Sequence, residues 1–147
     1  MTTAMKKQTL WEDAQVGQEL PPFVNKTGLM ELNRFAGANE ELVPIHMDVE
    51  AAKKAGLPDV IVMGNLKVAY LSNVLTDWAG DKGMVKKLSC QYRGMDVVNA
   101  TLTAKAKVTN KYVKDGEHLI DLEVWVENDK GQKTTPGAAT VRLPSRG

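Results

Sequence analysis

The chain has 147 residues, with 19 Lys and Arg against 18 Asp and Glu and a formal charge of +1 at neutral pH. That length suits one domain, spanning residues 1–147, with a real core, and the near-neutral balance without a basic block argues against nucleic acid or an anionic membrane surface as partner. Cys90 is the one cysteine, the opening MTTAMKKQTLWED has no apolar run after its lysines, and no stretch is apolar long enough to span a bilayer, so the expectation is a cytoplasmic, soluble protein without an intrachain disulfide.

Residues 1–20 are polar with apolar anchors at Leu10, Trp11, Val16 and Leu20. Pro21-Pro22 block a helix, and Phe23-Val24 suggest a short strand. Thr27 is placed to cap a helix beginning at Gly28, with Leu29, Leu32, Phe35 and Ala36 on one face. Asp48 is a second cap, for a short helix Val49–Ala55. Lys53 and Lys54 sit in its last turn, Gly56 ends it and Pro58 follows. Residues 64–79, GNLKVAYLSNVLTDWA, form the strongest helix. Leu66, Ala69, Tyr70, Val74 and Trp78 recur at helical spacing, and Val68, Leu71 and Leu75 widen the apolar surface. A helix apolar on most sides belongs in a core, and Gly80 is its stop.

After Gly83 the period changes to two. Leu88, Cys90 and Tyr92 alternate with polar residues, as do Leu102, Ala104, Ala106 and Val108; Ile120, Leu122, Val124 and Val126 alternate with outward Asp121, Glu123, Trp125 and Glu127, and Ala139, Val141 and Leu143 with Thr140 and Arg142. Each run predicts a strand with one core-facing side. Lys114-Asp115-Gly116 and Asn128-Asp129-Lys130-Gly131 carry hairpin-turn chemistry. The simplest assembly is an antiparallel sheet covering the helix at 64–79.

Candidate chemistry begins in EELVPIHMD, residues 40–48, which offers a carboxylate at Glu41 and an imidazole at His46. Pro44 biases Val43 to extended backbone, so the stretch cannot be a regular helix, and the two side chains can meet only across a turn centred on Leu42–Ile45. Taken alone, a Glu and a His at this spacing are more often coincidence than catalysis. His118, beside the Asp115-Gly116 turn, reads as a solvated hairpin shoulder. Gly64 opens the long helix, where free N–H groups can hold an oxygen that becomes negative. The plainer reading is that a glycine there lets the chain bend. One cysteine and two separated histidines disfavour a zinc site, the glycines form no phosphate loop, and no serine lies in a nucleophile elbow. Cys90 reads as a small core group.

From about Phe35 to Leu143 the chain resembles the MaoC-like (R)-specific enoyl-CoA hydratases. Their pattern of Asp-x-Asn-Pro-Ile/Leu-His-x-Asp stands here as Glu41-Leu42-Val43-Pro44-Ile45-His46-Met47-Asp48. An alanine-rich helix follows, and the family's Ile-x-His-Gly-Met stands as Ile61-Val62-Met63-Gly64-Asn65, before a final Ala-x-Val-x-Leu-Pro at 139–144. The resemblance implies an α+β hot dog fold, a curved antiparallel sheet wrapped around a long central helix. It implies a hydro-lyase of fatty acid metabolism that converts trans-2-enoyl-CoA and (R)-3-hydroxyacyl-CoA. Glu41 and His46 would handle water and its protons, the Gly64 amide would bind the thioester carbonyl, and Val43, Met63 and Asn65 would line the substrate. No cofactor or metal is implied. The partners implied are an acyl-CoA or acyl-carrier thioester and a second hot dog chain, as a homodimer or higher oligomer, with a heteromer as the alternative.

The site departs from the family pattern. Glu41 replaces aspartate, Val43 an asparagine, Met63 a histidine and Asn65 a methionine, and Val98-Asn99 stand for Gly-Asp. Two other readings follow. One is a weakly active or non-catalytic subunit of a heteromeric hydratase. Thr76-Asp77-Trp78-Ala79-Gly80 resembles a stretch in MaoC-like subunits of actinobacterial steroid side-chain breakdown, which take bulky acyl-CoA. The other is a hot dog thioesterase, disfavoured because the one acid of the long helix, Asp77, lies near its far end.

Overall fold

A computed structural model describes residues 7–147, so the start of the segment read above for a targeting signal lies outside the described residues. Its strands are β1 (Phe23–Lys26), β2 (Met84–Cys90), β3 (Thr101–Lys114), β4 (Glu117–Glu127) and β5 (Lys133–Arg142). Its helices are α1 (Leu29–Asn39), α2 (Val49–Lys54) and α3 (Gly64–Ala79), with single 3-10 turns at Trp11–Asp13 and Pro44–His46. All pairings are antiparallel, in the order β1-β3-β4-β5-β2. The sheet curls around α3, which is the hot dog architecture expected above.

The two periodicities explain the core. From α3, Leu66, Tyr70, Leu71, Val74, Leu75 and Trp78 are buried. They meet the inward residues of β3 and β4, namely Leu102, Ala104, Ala106, Val108, Ile120, Leu122, Val124 and Val126. The alanines in the middle of β3 leave room for the helix to sit close. Asp115 and Gly116 both adopt left-handed backbone, φ 52° and 76°, which closes a tight hairpin between β3 and β4.

Four local expectations change. Thr27 caps nothing. Its hydroxyl hydrogen-bonds Tyr70 Oη at 2.9 Å, and α1 starts after Gly28 without a side-chain cap. Val16, read as an anchor, is exposed. Trp125 lies on the outward side of β4 yet is buried, because the Lys133 ammonium sits 4.1 Å from its ring centroid and its N–H donates to Glu127. Tyr92 is not part of a strand: Leu88 and Cys90 alternate inward as expected, but β2 ends at Cys90 and Tyr92 is exposed.

One charged side chain of α3 faces inward. Lys67 is 2% exposed, and its Nζ donates to Asp96 Oδ2 at 3.0 Å and to the Gly94 carbonyl at 3.1 Å. Asp96, equally buried, also accepts from the Thr134 hydroxyl at 2.6 Å and from Asn128 Nδ2 at 3.3 Å. The first turn of α3 is thereby fastened to the β2–β3 connection and to the β4–β5 hairpin. Removing one member strands a charge in the interior. Asp96→Ala is expected to cost about 3–5 kcal/mol in urea denaturation, and the paired change Lys67→Met with Asp96→Val is expected to cost less than the sum of its two single changes.

Candidate active site

The site is assembled by the end of α1, the 3-10 turn and the segment leading into α3. Helix α1 closes at Glu40, in left-handed backbone with φ 54°, and the Glu41 N–H reaches back to the Ala36 carbonyl at 3.1 Å. This is the six-to-one closure of a Schellman motif. It throws the chain off the helix axis at Glu41. The Glu41 side chain is half-buried, and its Oε2 accepts from Asn39 Nδ2 at 3.1 Å and from Asn65 Nδ2 at 3.0 Å.

Val43 is extended, as its proline neighbour requires, and the Pro44–His46 turn begins there. The Asp48 carboxylate accepts from the Ala51 N–H at 3.0 Å and starts α2, so the turn is held between two helix ends. The Ile61 N–H donates to the Ile45 carbonyl at 3.2 Å, which brings the next residue, His46, against the same segment. His46 Nδ1 lies 2.8 Å from the Ile61 carbonyl. A carbonyl only accepts, so Nδ1 carries the proton and Nε2 is left for other work. On its other side this segment pairs with the β2–β3 connection: Val62 N–H to the Asp96 carbonyl and Val98 N–H to the Val60 carbonyl, both at 2.8 Å.

Glu41 and His46 are therefore tied to one short piece of chain, the glutamate at Asn65 and the histidine at Ile61, with Gly64 between. They share no hydrogen bond among the described residues. Met63, the N-cap of α3, offers no side-chain acceptor, so the first N–H groups of α3 are uncapped, at the positive end of the helix dipole. Gly64 is needed for space rather than for a bend. Its φ is not positive, whereas a Cβ there would stand 2.5 Å from Cε2 and Cζ of Tyr92. The Tyr92 ring lies against the opening of α3, 55% exposed, and its hydroxyl donates to Asn65 Oδ1 at 3.2 Å.

Of the other candidates, Val43 is exposed beside the turn, and Met63 is fully buried, its side chain a core group in this chain. Asn65 is exposed and bridges Glu41 and Tyr92. His118 packs edge-on against Trp11, with ring centroids 5.0 Å apart. Burial pushes the Cys90 thiol up, against the pull of Lys67. Among the described residues no cluster of His, Cys, Asp and Glu could hold a metal, and no helix is long and apolar enough to cross a membrane.

The sequence reading passed over Tyr92, Lys67 and Asp96 as site-forming residues. Lys67 left a signal, as the one charge between Gly64 and Thr76. Tyr92 ends an alternating run in the sequence, and nothing local marks its place over Gly64.

The model of a family described as "MaoC like domain" matches residues 14–139. The fatty acid synthase beta subunit hexB of Dothistroma septosporum is 26% identical over 118 residues, 78% of this chain and 6% of that subunit. This chain thus spans a small fraction of that relative's length. Among solved structures, the (R)-hydratase from A. caviae involved in PHA biosynthesis superposes with a TM-score of 0.82 at 24% identity, over 90% of this chain and 99% of that one. The ChsH1-ChsH2 complex from Mycobacterium tuberculosis gives 0.77 at 23% identity, over 88% and 98%. At these identities the likeness to the two structures is one of fold.

The Gly64–Tyr92 contact gives a first test. Gly64→Ala is expected to fold but to push the Tyr92 ring aside. In a Tyr92→Ala background the same change is expected to be neutral or to stabilise by up to about 1 kcal/mol, from the helix preference of alanine over glycine. Thermal melts of the four chains measure the difference.

Proposed function

The chain belongs to the MaoC-like domain family, and from that premise we propose that it is a hydratase/dehydratase that interconverts a trans-2-enoyl thioester and its (R)-3-hydroxyacyl form. The observation that carries the reading is the shared anchoring of Glu41 and His46 on either side of Gly64. Hydration places a hydroxyl on the β-carbon and a proton on the α-carbon, by way of an enolate-like state with negative charge on the thioester oxygen. The uncapped N–H of Gly64, at the start of a sixteen-residue helix, suits that charge.

The proton traffic falls to the pair. With its Nδ1–H spent on the Ile61 carbonyl, His46 has Nε2 available to take a proton from water as the oxygen attacks. The Glu41 carboxylate, held by two amides, accepts a hydrogen bond from the same water and fixes its approach. The proton delivered to the α-carbon comes from the pair, so the dyad returns to its starting state each turnover. Running backwards, the same steps eliminate water. Glutamate, one methylene longer than the family's aspartate, reaches this position while tied to Asn65 on α3.

The substrate proposed is a CoA or carrier-protein thioester, and the assembly proposed is a hot dog dimer. β1 and β2 are the outer strands of the sheet, and joining sheets edge to edge would remove an exposed strand edge. A second reading, a subunit of a heteromeric hydratase, is supported by the fold likeness to the ChsH1-ChsH2 complex and by the Thr76–Gly80 stretch.

Purified protein is expected to consume the enoyl absorbance of crotonyl-CoA or of a bulkier enoyl-CoA, with a loss of about 10²–10⁴-fold in kcat for His46→Ala and for Glu41→Gln. Free thiol release without hydration would instead indicate a thioesterase, and activity appearing only with a co-expressed MaoC-like chain would indicate the heteromer. Light scattering behind size exclusion is expected to give at least twice the chain mass. A monomer at micromolar concentration would remove the dimer.

A further inference from the structure

The proposed role of Glu41 requires its carboxylate to be aimed, and its two hydrogen-bond donors among the described residues are Asn39 and Asn65. Asn39 cannot aim it alone, because it lies two residues away at the end of the same helix and restrains the carboxylate only relative to its own segment. Among the described residues, Asn65 is the hydrogen-bond donor that ties Glu41 to α3. A carboxylate accepts only, so Asn65 must turn its NH2 toward Glu41, and its oxygen then needs a donor on the other side. The Tyr92 hydroxyl is that donor. Burial, with smaller contributions from Cys90 and the Glu41 charge, pushes the Tyr92 phenol up, so it keeps its proton at neutral pH.

Tyr92 is itself held in place. Its ring lies against Gly64. The backbone on both sides of it is pinned to β5: Gln91 N–H donates to the Pro136 carbonyl and Arg93 N–H to the Thr134 carbonyl, both at 2.9 Å. The Gly94 carbonyl accepts from buried Lys67. A rigid donor, an amide with one orientation that satisfies both neighbours, and a carboxylate form a single chain from the sheet to the pair.

We propose that Tyr92 is a positioning residue for Glu41, acting through Asn65: its hydroxyl selects the amide orientation that donates to the carboxylate and so holds it beside the opening of α3. This rests on the catalytic reading of Glu41 given above. An unoriented Asn65 could turn its oxygen to Glu41, which would repel the carboxylate instead of holding it.

Tyr92→Phe keeps the ring over Gly64 and removes only the O–H. With whichever enoyl-CoA the wild type hydrates, kcat is expected to fall about tenfold, the scale of one lost hydrogen bond, while KM stays within about twofold because uniform substrate binding is untouched. In an Asn65→Ala background the same change is expected to have no further effect on kcat. Crystal structures of the wild type and of Tyr92→Phe supply a readout that needs no turnover, with Glu41 Oε2 expected to leave hydrogen-bond distance of Asn65 Nδ2 in the variant. The proposal is overturned if Tyr92→Phe retains wild-type kcat, if it lowers kcat equally with and without Asn65, or if Glu41 stays on Asn65 in the variant crystal. A wild-type chain that hydrates no enoyl thioester defeats the catalytic reading instead, and the two crystal structures then decide whether Tyr92 sets the Asn65–Glu41 geometry.

Discussion

The buried pair of Lys67 and Asp96 is the constraint on which the geometry of this protein depends. Two charges in an interior cost several kcal/mol each unless their remaining hydrogen-bonding capacity is satisfied. Here it is, by the Gly94 carbonyl, Thr134 and Asn128. Such bonds are directional, whereas the leucine and valine contacts of the same helix would tolerate sliding. The pair therefore sets the register of α3 against the β2–β3 connection. Asp96 does this twice, since its backbone carbonyl also accepts from Val62, two residues before Gly64. Its negative charge also offsets a lysine placed near the positive end of the helix dipole, where a cation is unfavourable.

From that fixed point the site follows. The segment Val60–Met63 is pinned on one side by Asp96–Val98 and on the other by Ile45 and His46. Helix α3 then leaves from a defined position with its first N–H groups uncapped. Glu41 arrives from the end of α1, by a helix closure that uses glutamate rather than glycine in left-handed backbone. A carboxylate and an imidazole five residues apart in the chain are each hydrogen-bonded to the same short run, 61–65, whose last residues open α3 with uncapped amides.

Much of the fold was legible because its signals are local. The buried helix at 64–79 shows in its helical spacing, the Asp48 cap sits one residue before its helix, and three strands of the sheet announce themselves by alternation and by Asp115-Gly116 or Asn128–Gly131 turns. The misreadings have local causes as well. The alternation of Leu88 and Cys90 runs on to Tyr92 in the sequence although the strand stops at Cys90, and Thr27 stands beside the nearest helix although its hydroxyl goes to a tyrosine on another. Glu41, His46 and Gly64 could be singled out by residue type and family resemblance. Their common anchoring could not, because it rests on pairings such as Ile45 with Ile61 and Val62 with Asp96, which no short window contains. The same holds for Lys67, whose partner is 29 residues away and whose burial is visible only once both are placed.

The tight hairpin at Asp115-Gly116 has a consequence for the order in which this molecule is built. Strands β3, β4 and β5 follow one another with short turns, so their pairing closes small loops and carries little entropic cost. The contacts that fix the opening of α3 close much larger ones, from Glu41 to Asn65 and from Lys67 to Asp96, and the latter also requires Thr134 to be in position. The C-terminal meander thus closes at the lower entropic cost, and the contacts at the opening of α3 need that sheet as their partner. During synthesis Glu41 and His46 leave the ribosome first but must wait for the last third of the chain before they acquire their arrangement.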